Sequence, residues 1–577
     1  MSRNDEIARQ FEAFADLLDA KGVEYKPRAY RRAAENIREY PGAVEDLAAE
    51  GADALDDIDG VGDAIAAKIV EYVETGRIEE LDALREEYPL DMDAITSIEG
   101  VGPKTAGRLY EALGVQSLDD LEDAAEAGEI RDVTGFGEKT EQNILDNIEF
   151  AREATERQLL GRARPRGEGV VAYLAEIDAV ESVELAGSLR RWKATIGDVD
   201  VLVASDDAPA VLDAFTEWPE ADTVIEAGET KASVRVDGVR VDLRVVVPEE
   251  WGAALQYFTG SKEHNVAVRN RAIERGLKMN EYGIFDISNV DDSDQRAGDR
   301  VGGETEASMY EPLDMAWIPP ELREHRGEIE AAATGDLPDL VATDAIRGDL
   351  HTHTEWSDGG FTIAELIDAA AAFGHDYVAV TDHATGPGMV GSVGVEDDVL
   401  REQLTEIREI AAGAPIDVFA GVEANIATDG EISVADDLLA DLDLVVASPH
   451  AGLDGDGTDR LIAAAEHPSV DIIGHPTGRY LNRRSGLDVD VARLAEVAAD
   501  HDTALEINAN PARLDLGGKS VQTAIEAGAI IAVNTDAHSA GNFEYLRYGV
   551  HTARRGWAEA DDVLNTRDAD GVRAFLH

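Results

Sequence analysis

Residues 187–200 read Gly-Ser-Leu-Arg-Arg-Trp-Lys-Ala-Thr-Ile-Gly-Asp-Val-Asp, and the valines at 199, 201 and 203 leave Asp198 and Asp200 as alternate polar positions of one strand. Side chains two apart on a strand project from the same face, so this pair can hold a divalent cation. A second run of period two, Val239, Val241, Leu243 and Val245, carries Asp242 between apolar neighbours. Period-two patterning over residues 170–250 makes this stretch a sheet domain. Three carboxylates together can hold two magnesium ions, one acidifying an attacking hydroxyl and one clamping a triphosphate. Gly187 and Ser188, with Arg191 three residues on, then offer groups for the outgoing phosphates, the arginine by charge-assisted hydrogen bonds.

Upstream, helical spacing dominates: Ile7, Phe11, Phe14, Leu17 and Leu18 fall on one face. A short pattern then recurs as Ile58-Asp-Gly-Val-Gly62, Ile98-Glu-Gly-Val-Gly102 and Val133-Thr-Gly-Phe-Gly137, each followed by a helical stretch. Repetition at this spacing indicates one small unit used three times. The glycines Gly60, Gly62, Gly100, Gly102, Gly135 and Gly137 permit tight turns whose backbone N–H groups, beside a helix N-terminus, can face a phosphate. The three copies resemble helix-hairpin-helix motifs, which grip the DNA backbone without reading its sequence.

Downstream, residues 251–320 are mixed. Ile318-Pro-Pro320 and the polar stretch to Thr343 read as a linker, which would leave the two halves of the chain working independently. Beyond it, apolar runs at 346–350, 377–381, 417–422, 442–448, 470–474, 503–507 and 529–534 alternate with helical segments, implying a parallel sheet and a barrel of seven strands. Eleven of the thirteen histidines lie beyond residue 345, most of them at strand ends: His351, His353, His383, His450, His475 and His538. Asp358, Glu423 and Asp536 accompany them. Imidazole and carboxylate ligands converging on a barrel mouth suit manganese, zinc or iron. His375, His467, His501 and His551 fall off this pattern and read as surface or helix residues.

Composition bounds these readings. The 577 residues carry 119 Asp and Glu against 51 Lys and Arg, a net charge of −68, and no Cys. Disulfides, zinc ribbons and thiol nucleophiles are thereby excluded. No apolar run approaches the roughly 18 to 20 residues that span a bilayer, and the first ten residues are polar, so a cytoplasmic protein is expected. Such a charge repels nucleic acid in dilute buffer. Only ten of the basic residues are lysines, and the composition resembles that of proteins from salt-in halophiles, where molar salt shortens the Debye length to about 3 Å.

The segment 255–265, Leu-Gln-Tyr-Phe-Thr-Gly-Ser-Lys-Glu-His-Asn, continuing to Asn280-Glu-Tyr282, closely resembles the thumb of family X DNA polymerases. With the Gly-Ser and Asp-x-Asp motifs and the hairpins, the resemblance covers residues 1–320. It implies that Asp198, Asp200 and Asp242 are the catalytic carboxylates, that Tyr257, Phe258 and Gly260 line the sugar pocket, that Asn265 approaches the incoming base and that Arg269 approaches the template. Some family members also carry a lyase that opens an abasic sugar through a Schiff base, and Lys68 falls where that amine belongs. Lys26 is kept where the family has a phosphate-binding residue, but Tyr25 stands in place of the usual His and Glu80 in place of another Lys. Residues 346–577 resemble the PHP (polymerase and histidinol phosphatase) domain. That resemblance implies nine ligands, His351, His353, Asp358, His383, Glu423, His450, His475, Asp536 and His538, around a cluster of about three metals suited to phosphoester hydrolysis.

The expected architecture is multidomain, α+β and α/β: a helical DNA-binding, lyase-like domain at 1–90, helix-hairpin-helix fingers at 91–155, a nucleotidyltransferase palm at 156–250, a thumb at 251–318, the linker at 319–345 and the barrel at 346–577. The expected activity is filling of short DNA gaps from dNTPs with magnesium. Manganese- or zinc-dependent 3′-5′ exonuclease or 3′-end processing would accompany it on gapped or 3′-recessed DNA, in a monomer with no membrane partner. The rival reading is a small-molecule nucleotidyltransferase fused to a histidinol-phosphatase-like hydrolase. The three hairpins and the Tyr-Phe-Thr-Gly-Ser segment argue against it.

Overall fold

The computed structural model describes residues 3–23, 26–40, 43–58, 60–96, 98, 101–290, 294–388 and 393–576. The chain forms two compact units, residues 1–157 with 482–485, and the remainder.

In the first unit, helix Arg3–Ala20 turns Ile7, Phe11, Phe14 and Leu17 into a core shared with helix Lys26–Glu39, whose Tyr30 stacks on Phe14 at 4.6 Å. A second core gathers Ile95, Ile98, Leu109, Leu121 and Ile144. The second glycine of each repeat, Gly62, Gly102 or Gly137, is the residue before a helix: Asp63–Thr75, Pro103–Leu113 or Glu138–Glu156. Gly60 and Gly135, at φ +74° and +85°, make the turns that an L side chain resists. Gly100 and Tyr25 lie outside the described residues.

The second unit begins with a five-stranded sheet in the order Ser182–Leu185, Val199–Ala204, Val239–Val246, Lys231–Val236, Thr223–Ala227. Its two central strands are parallel, with Asp200 in register with Asp242. Helices Trp251–Thr259 and Lys262–Glu274 follow, then a three-stranded antiparallel sheet. The barrel has seven parallel strands in sequence order, Gly348–Asp349 through Ile531–Asn534. A parallel bridge between Thr352 and Ala537 ties the last strand to the first.

Residues 319–345 are not a free linker. They hold the turn Pro320–Leu322 and helix Glu328–Thr334. Ile318, Leu322, Ile329 and Ala332 pack in the thumb core, Val341 packs in the barrel core, and Arg323 and Glu328 are fully buried. The polar residues that suggested a linker are instead paired internally, Arg323 with Glu306 at 2.6 Å and Glu328 with His264 at 2.6 Å. One of the off-pattern histidines is neither a surface nor a helix residue: His375 is 4% exposed and is pushed down to about 4 by burial. His551 is a helix residue as expected, within Leu546–Arg555, and stacks on Trp192.

Candidate active sites

The palm site follows from sheet register. Asp200 and Asp242 face each other across two parallel strands, and one oxygen from each of Asp198, Asp200 and Asp242 lies within 4.8 Å of the others. Gly187, at φ +58°, lets the backbone pass so close that a Cβ would collide with the Asp200 carboxylate. Burial, reinforced by the charges of Asp198 and Asp242, pushes Asp200 up to about 7. Arg240 reaches both Asp242 oxygens, at 2.8 and 2.9 Å, and Ser233 donates to one of them. Convergent carboxylates with one carboxyl strained toward its neutral form fit a divalent cation, which would remove that strain.

Phe258 faces this cavity, beneath the Arg244 guanidinium at 4.6 Å. Tyr257, Gly260, Asn265 and Arg269 line a separate cavity with Gln256 and Asn280. The expected sugar-pocket residues are therefore divided between two cavities. Asn265 donates to the carbonyls of Tyr257, at 2.7 Å, and Gly260, at 3.3 Å, and a Cβ at Gly260 would strike Asn265 and His264. Ser188 is the second residue of the one-turn helix Gly187–Arg190, whose first residue lies against Asp200. Arg191 is buried, its Nε 2.9 Å from Glu324 and its Nη1 donating to the Thr259 carbonyl at 2.7 Å.

In the helical unit, no atom of the described residues lies within 4 Å of a Cβ placed on Gly62, Gly102 or Gly137. Their φ values of −93°, −83° and −145° are open to any residue. Glycine there is demanded neither by contacts among the described residues nor by φ; each is the N-cap of its helix, a position that favours glycine, and each leaves its backbone open on the outer side. Lys68 differs from expectation. Its side chain is 16% exposed, and burial opposes its charge. Glu80, 2.9 Å away, and Tyr30 outweigh burial and raise the amine above its ordinary value. A Schiff-base nucleophile needs the opposite shift.

All nine expected barrel ligands converge. Glu423 is the hub, with His383 at 2.5 Å, His475 at 3.0 Å, His450 at 3.3 Å, His351 at 3.4 Å and His353 at 3.7 Å. Asp536 approaches His353 at 3.0 Å, and Asp358 approaches His538 at 3.3 Å and His383 at 3.6 Å. Burial opposes charge on Glu423 and Asp536, but the surrounding histidines hold both well below the carboxylate range. His475 and Asp536 sit at φ +26° and +56°, strained backbone of the kind that gathers at functional sites. Among the described residues, the buried Nε2 atoms of His351, His353 and His450 and one Glu423 oxygen have no hydrogen-bond partner. Orphaned imidazole lone pairs around a carboxylate fit a metal cluster.

Several supporting residues escaped the sequence reading. Glu506 accepts from His351 Nδ1 at 2.8 Å, from Asn534 at 2.9 Å and from the His475 amide at 2.6 Å. Asn425 Oδ1 lies 2.7 Å from His450 Nδ1, and Asn508 donates to Asp536 at 2.9 Å. Asp382 accepts from Thr354 and Ser357 and so shapes the loop carrying Asp358. Arg513 stands at the rim, 4.0 Å from Asp536. Glu506 had a visible signal, a carboxylate inside the apolar run 503–507.

Family models match in chain order: a helix-hairpin-helix domain over residues 2–78, a tandem helix-hairpin-helix over 92–149, the DNA polymerase beta thumb over 254–324 and the PHP domain over 349–510. The chain is 34% identical to the DNA polymerase/3′-5′ exonuclease PolX of Bacillus subtilis over 99% of both chains. Rat DNA polymerase lambda is 25% identical over 56% of each chain, and a probable phosphatase of Shewanella frigidimarina is 32% identical over 40% of this chain and 92% of its own. A two-active-site enzyme, nucleotidyltransferase and metal-dependent phosphoesterase, is what this fold and these clusters define. The chain belongs to the family X DNA polymerases that carry a C-terminal PHP domain.

Proposed function

We propose that this enzyme fills short gaps in DNA during repair and trims 3′ ends, the palm adding nucleotides and the barrel removing them. The observation that carries the reading is the pairing of Asp200 with Asp242 in register, joined by Asp198, in a chain whose barrel gathers nine metal-competent side chains. Divalent ions, magnesium in the palm and a cluster of about three manganese or zinc ions in the barrel, supply positive charge at phosphoryl oxygens and acidify the attacking hydroxyl or water.

In the palm, Asp198, Asp200 and Asp242 hold the magnesium, while Gly187, Ser188 and Arg191 orient the phosphates. Phe258, from the carboxylate cavity, and Tyr257 and Gly260, from the second cavity, would bound the nucleotide sugar from two sides, with Asn265 toward the incoming base and Arg269 toward the template strand. Hairpin backbone at Gly60, Gly62, Gly100, Gly102, Gly135 and Gly137 holds DNA phosphates, a contact that needs few lysines. In the barrel, His351, His353, Asp358, His383, Glu423, His450, His475, Asp536 and His538 hold the cluster, and Glu506, Asn425 and Asn508 fix the rings and carboxylates that face it. Lys68 would serve a lyase only after release from Glu80. Among the described residues no helix is long and apolar enough to cross a membrane, and the enzyme is read as a cytoplasmic monomer.

The test is incubation with gapped and 3′-recessed DNA in molar potassium chloride, scanning magnesium and manganese. Gap filling that vanishes in Asp200→Ala, together with 3′ trimming that persists in it, is the expected outcome. Wild-type extension by Asp200→Ala would sink the palm assignment.

A further inference from the structure

Helix Leu546–Arg555 belongs to the barrel half, yet one of its faces is built into the palm. Tyr548 is part of the palm core. His551 lies flat on Trp192, centroids 3.6 Å apart and planes within 6°, and the Arg164 guanidinium is 3.5 Å from the same ring. Arg555 ends the helix. Its Nη1 donates to the backbone carbonyl of Arg191, and its Nη1 and Nη2 both lie 3.2 Å from Oε1 of Glu324. That same Glu324 oxygen accepts from Arg191 Nε at 2.9 Å. One half-buried carboxylate thus serves two guanidinium groups, one from the palm and one from the barrel half.

This sharing has an electrostatic consequence. A single Arg191–Glu324 pair would be neutral, whereas two arginines on one carboxylate leave a net positive charge beside Asp200, whose carboxyl feels the Arg191 charge. Burial opposes ionisation of Glu324, but Arg555 and then Arg191 bring it down to about 2, so the carboxylate stays charged and both contacts persist. With Nε and Nη1 held by Glu324 and the Thr259 carbonyl, the orientation of the Arg191 fork is set. Among the described residues its Nη2 donates no hydrogen bond, leaving a directed donor for an anion.

We infer that Arg555, a residue of the barrel half, is a positioning residue of the polymerase: by sharing Glu324 it keeps Arg191 aligned toward the phosphates of the incoming nucleotide and offsets the charge of the carboxylate that holds it. The inference rests on the reading of Arg191 as a phosphate-binding group.

The test uses the full chain on gapped DNA, with KM for dNTP and kcat measured for wild type, Arg555→Ala, Arg555→Lys, Arg191→Lys and the double variant Arg191→Lys/Arg555→Ala. Melting temperature, metal content and 3′ trimming are read on the same preparations. Arg555→Ala is expected to raise KM about tenfold, the scale of one charge-assisted hydrogen bond, with a smaller change in kcat. Arg555→Lys restores most of the loss, and the double variant is no worse than Arg191→Lys alone, because both changes act through one group. Should Arg555→Ala fail to fold, Arg555→Met keeps the apolar stem and carries the same expectation. A folded Arg555 variant with wild-type KM, or additive losses in the double variant, overturns the inference while leaving Arg191 in its role. An unchanged KM in Arg191→Lys overturns the phosphate reading itself, and the inference falls with it.

Discussion

The Nδ1 atom of His351 lies 2.8 Å from Oε1 of Glu506, and both side chains are fully buried. With Nδ1–H donating to the carboxylate, the lone pair of His351 is confined to Nε2, the atom that faces Glu423 and the ligand cluster. Glu506 also accepts from Asn534 and from the His475 amide, so its position is fixed independently of the histidine.

Glu506→Gln should therefore weaken metal retention in the barrel about 10- to 100-fold, as loss of a ligand's orienting partner commonly does. The check is metal content after dialysis, with 3′ trimming measured on the same material. Full metal occupancy with normal trimming would show that His351 is oriented without Glu506.

Asp200 supplies a pH prediction. Burial and the neighbouring Asp198 and Asp242 push its carboxyl from 3.8 up to about 7. An acid raised on folding stabilises the metal-free fold below its ordinary value, and that contribution is lost as pH rises through about 7. Magnesium competes with the same proton, so the half-saturating magnesium concentration should fall about tenfold per pH unit below 7 and level off above it. Titrations at several pH values, compared with Asp200→Asn, measure this. A flat dependence, or the same slope in the asparagine variant, rules it out.

The parts of this enzyme that follow from local pattern were legible in the sequence. Period-two valines placed Asp200 and Asp242 on strands, with Asp198 in the bend just ahead of the first rather than on it, and histidines ending the apolar runs placed the barrel mouth. What local pattern does not carry is pairing across distance. The Asp200–Asp242 register depends on which strands become neighbours, 42 residues apart in the chain. Glu506 looked like an interruption of an apolar strand, because its partners His351 and Asn534 come from other strands. The segment around Glu321, Arg323 and Glu328 looked like solvated linker for the same reason. Its charges are matched by His551, Arg554, Glu306 and His264, contributed from elsewhere in the fold.

Lys68 provides a third prediction. Its amine is held in the charged form by Glu80 and Tyr30, so borohydride should trap little covalent adduct between wild-type enzyme and abasic DNA at neutral pH. Glu80→Gln removes the carboxylate and leaves only Tyr30 to oppose burial, so the amine should fall and trapping should rise if Lys68 is within reach of the sugar. Efficient trapping at Lys68 in the wild type would show that the ion pair opens on DNA and that the lyase reading is correct as it stands.

The last prediction concerns salt. A net charge of −68 on 577 residues means that at low ionic strength the carboxylates repel one another over distances comparable to the protein itself. At about 0.01 M salt the Debye length is about 30 Å, and at about 1 M it is about 3 Å, short enough to confine repulsion to immediate neighbours. The hairpin contacts proposed for DNA use backbone N–H groups, so screening removes repulsion between acidic protein and phosphate while costing few lysine–phosphate pairs. Both stability and gap filling should therefore rise with potassium chloride into the molar range, opposite to the usual loss of DNA affinity with salt. Melting temperature and extension rate measured from about 0.05 M to about 3 M salt decide the matter. An enzyme that is most stable and most active near the low end would mean that its surface charge is already neutralised locally, and the high-salt reading of the composition would be wrong.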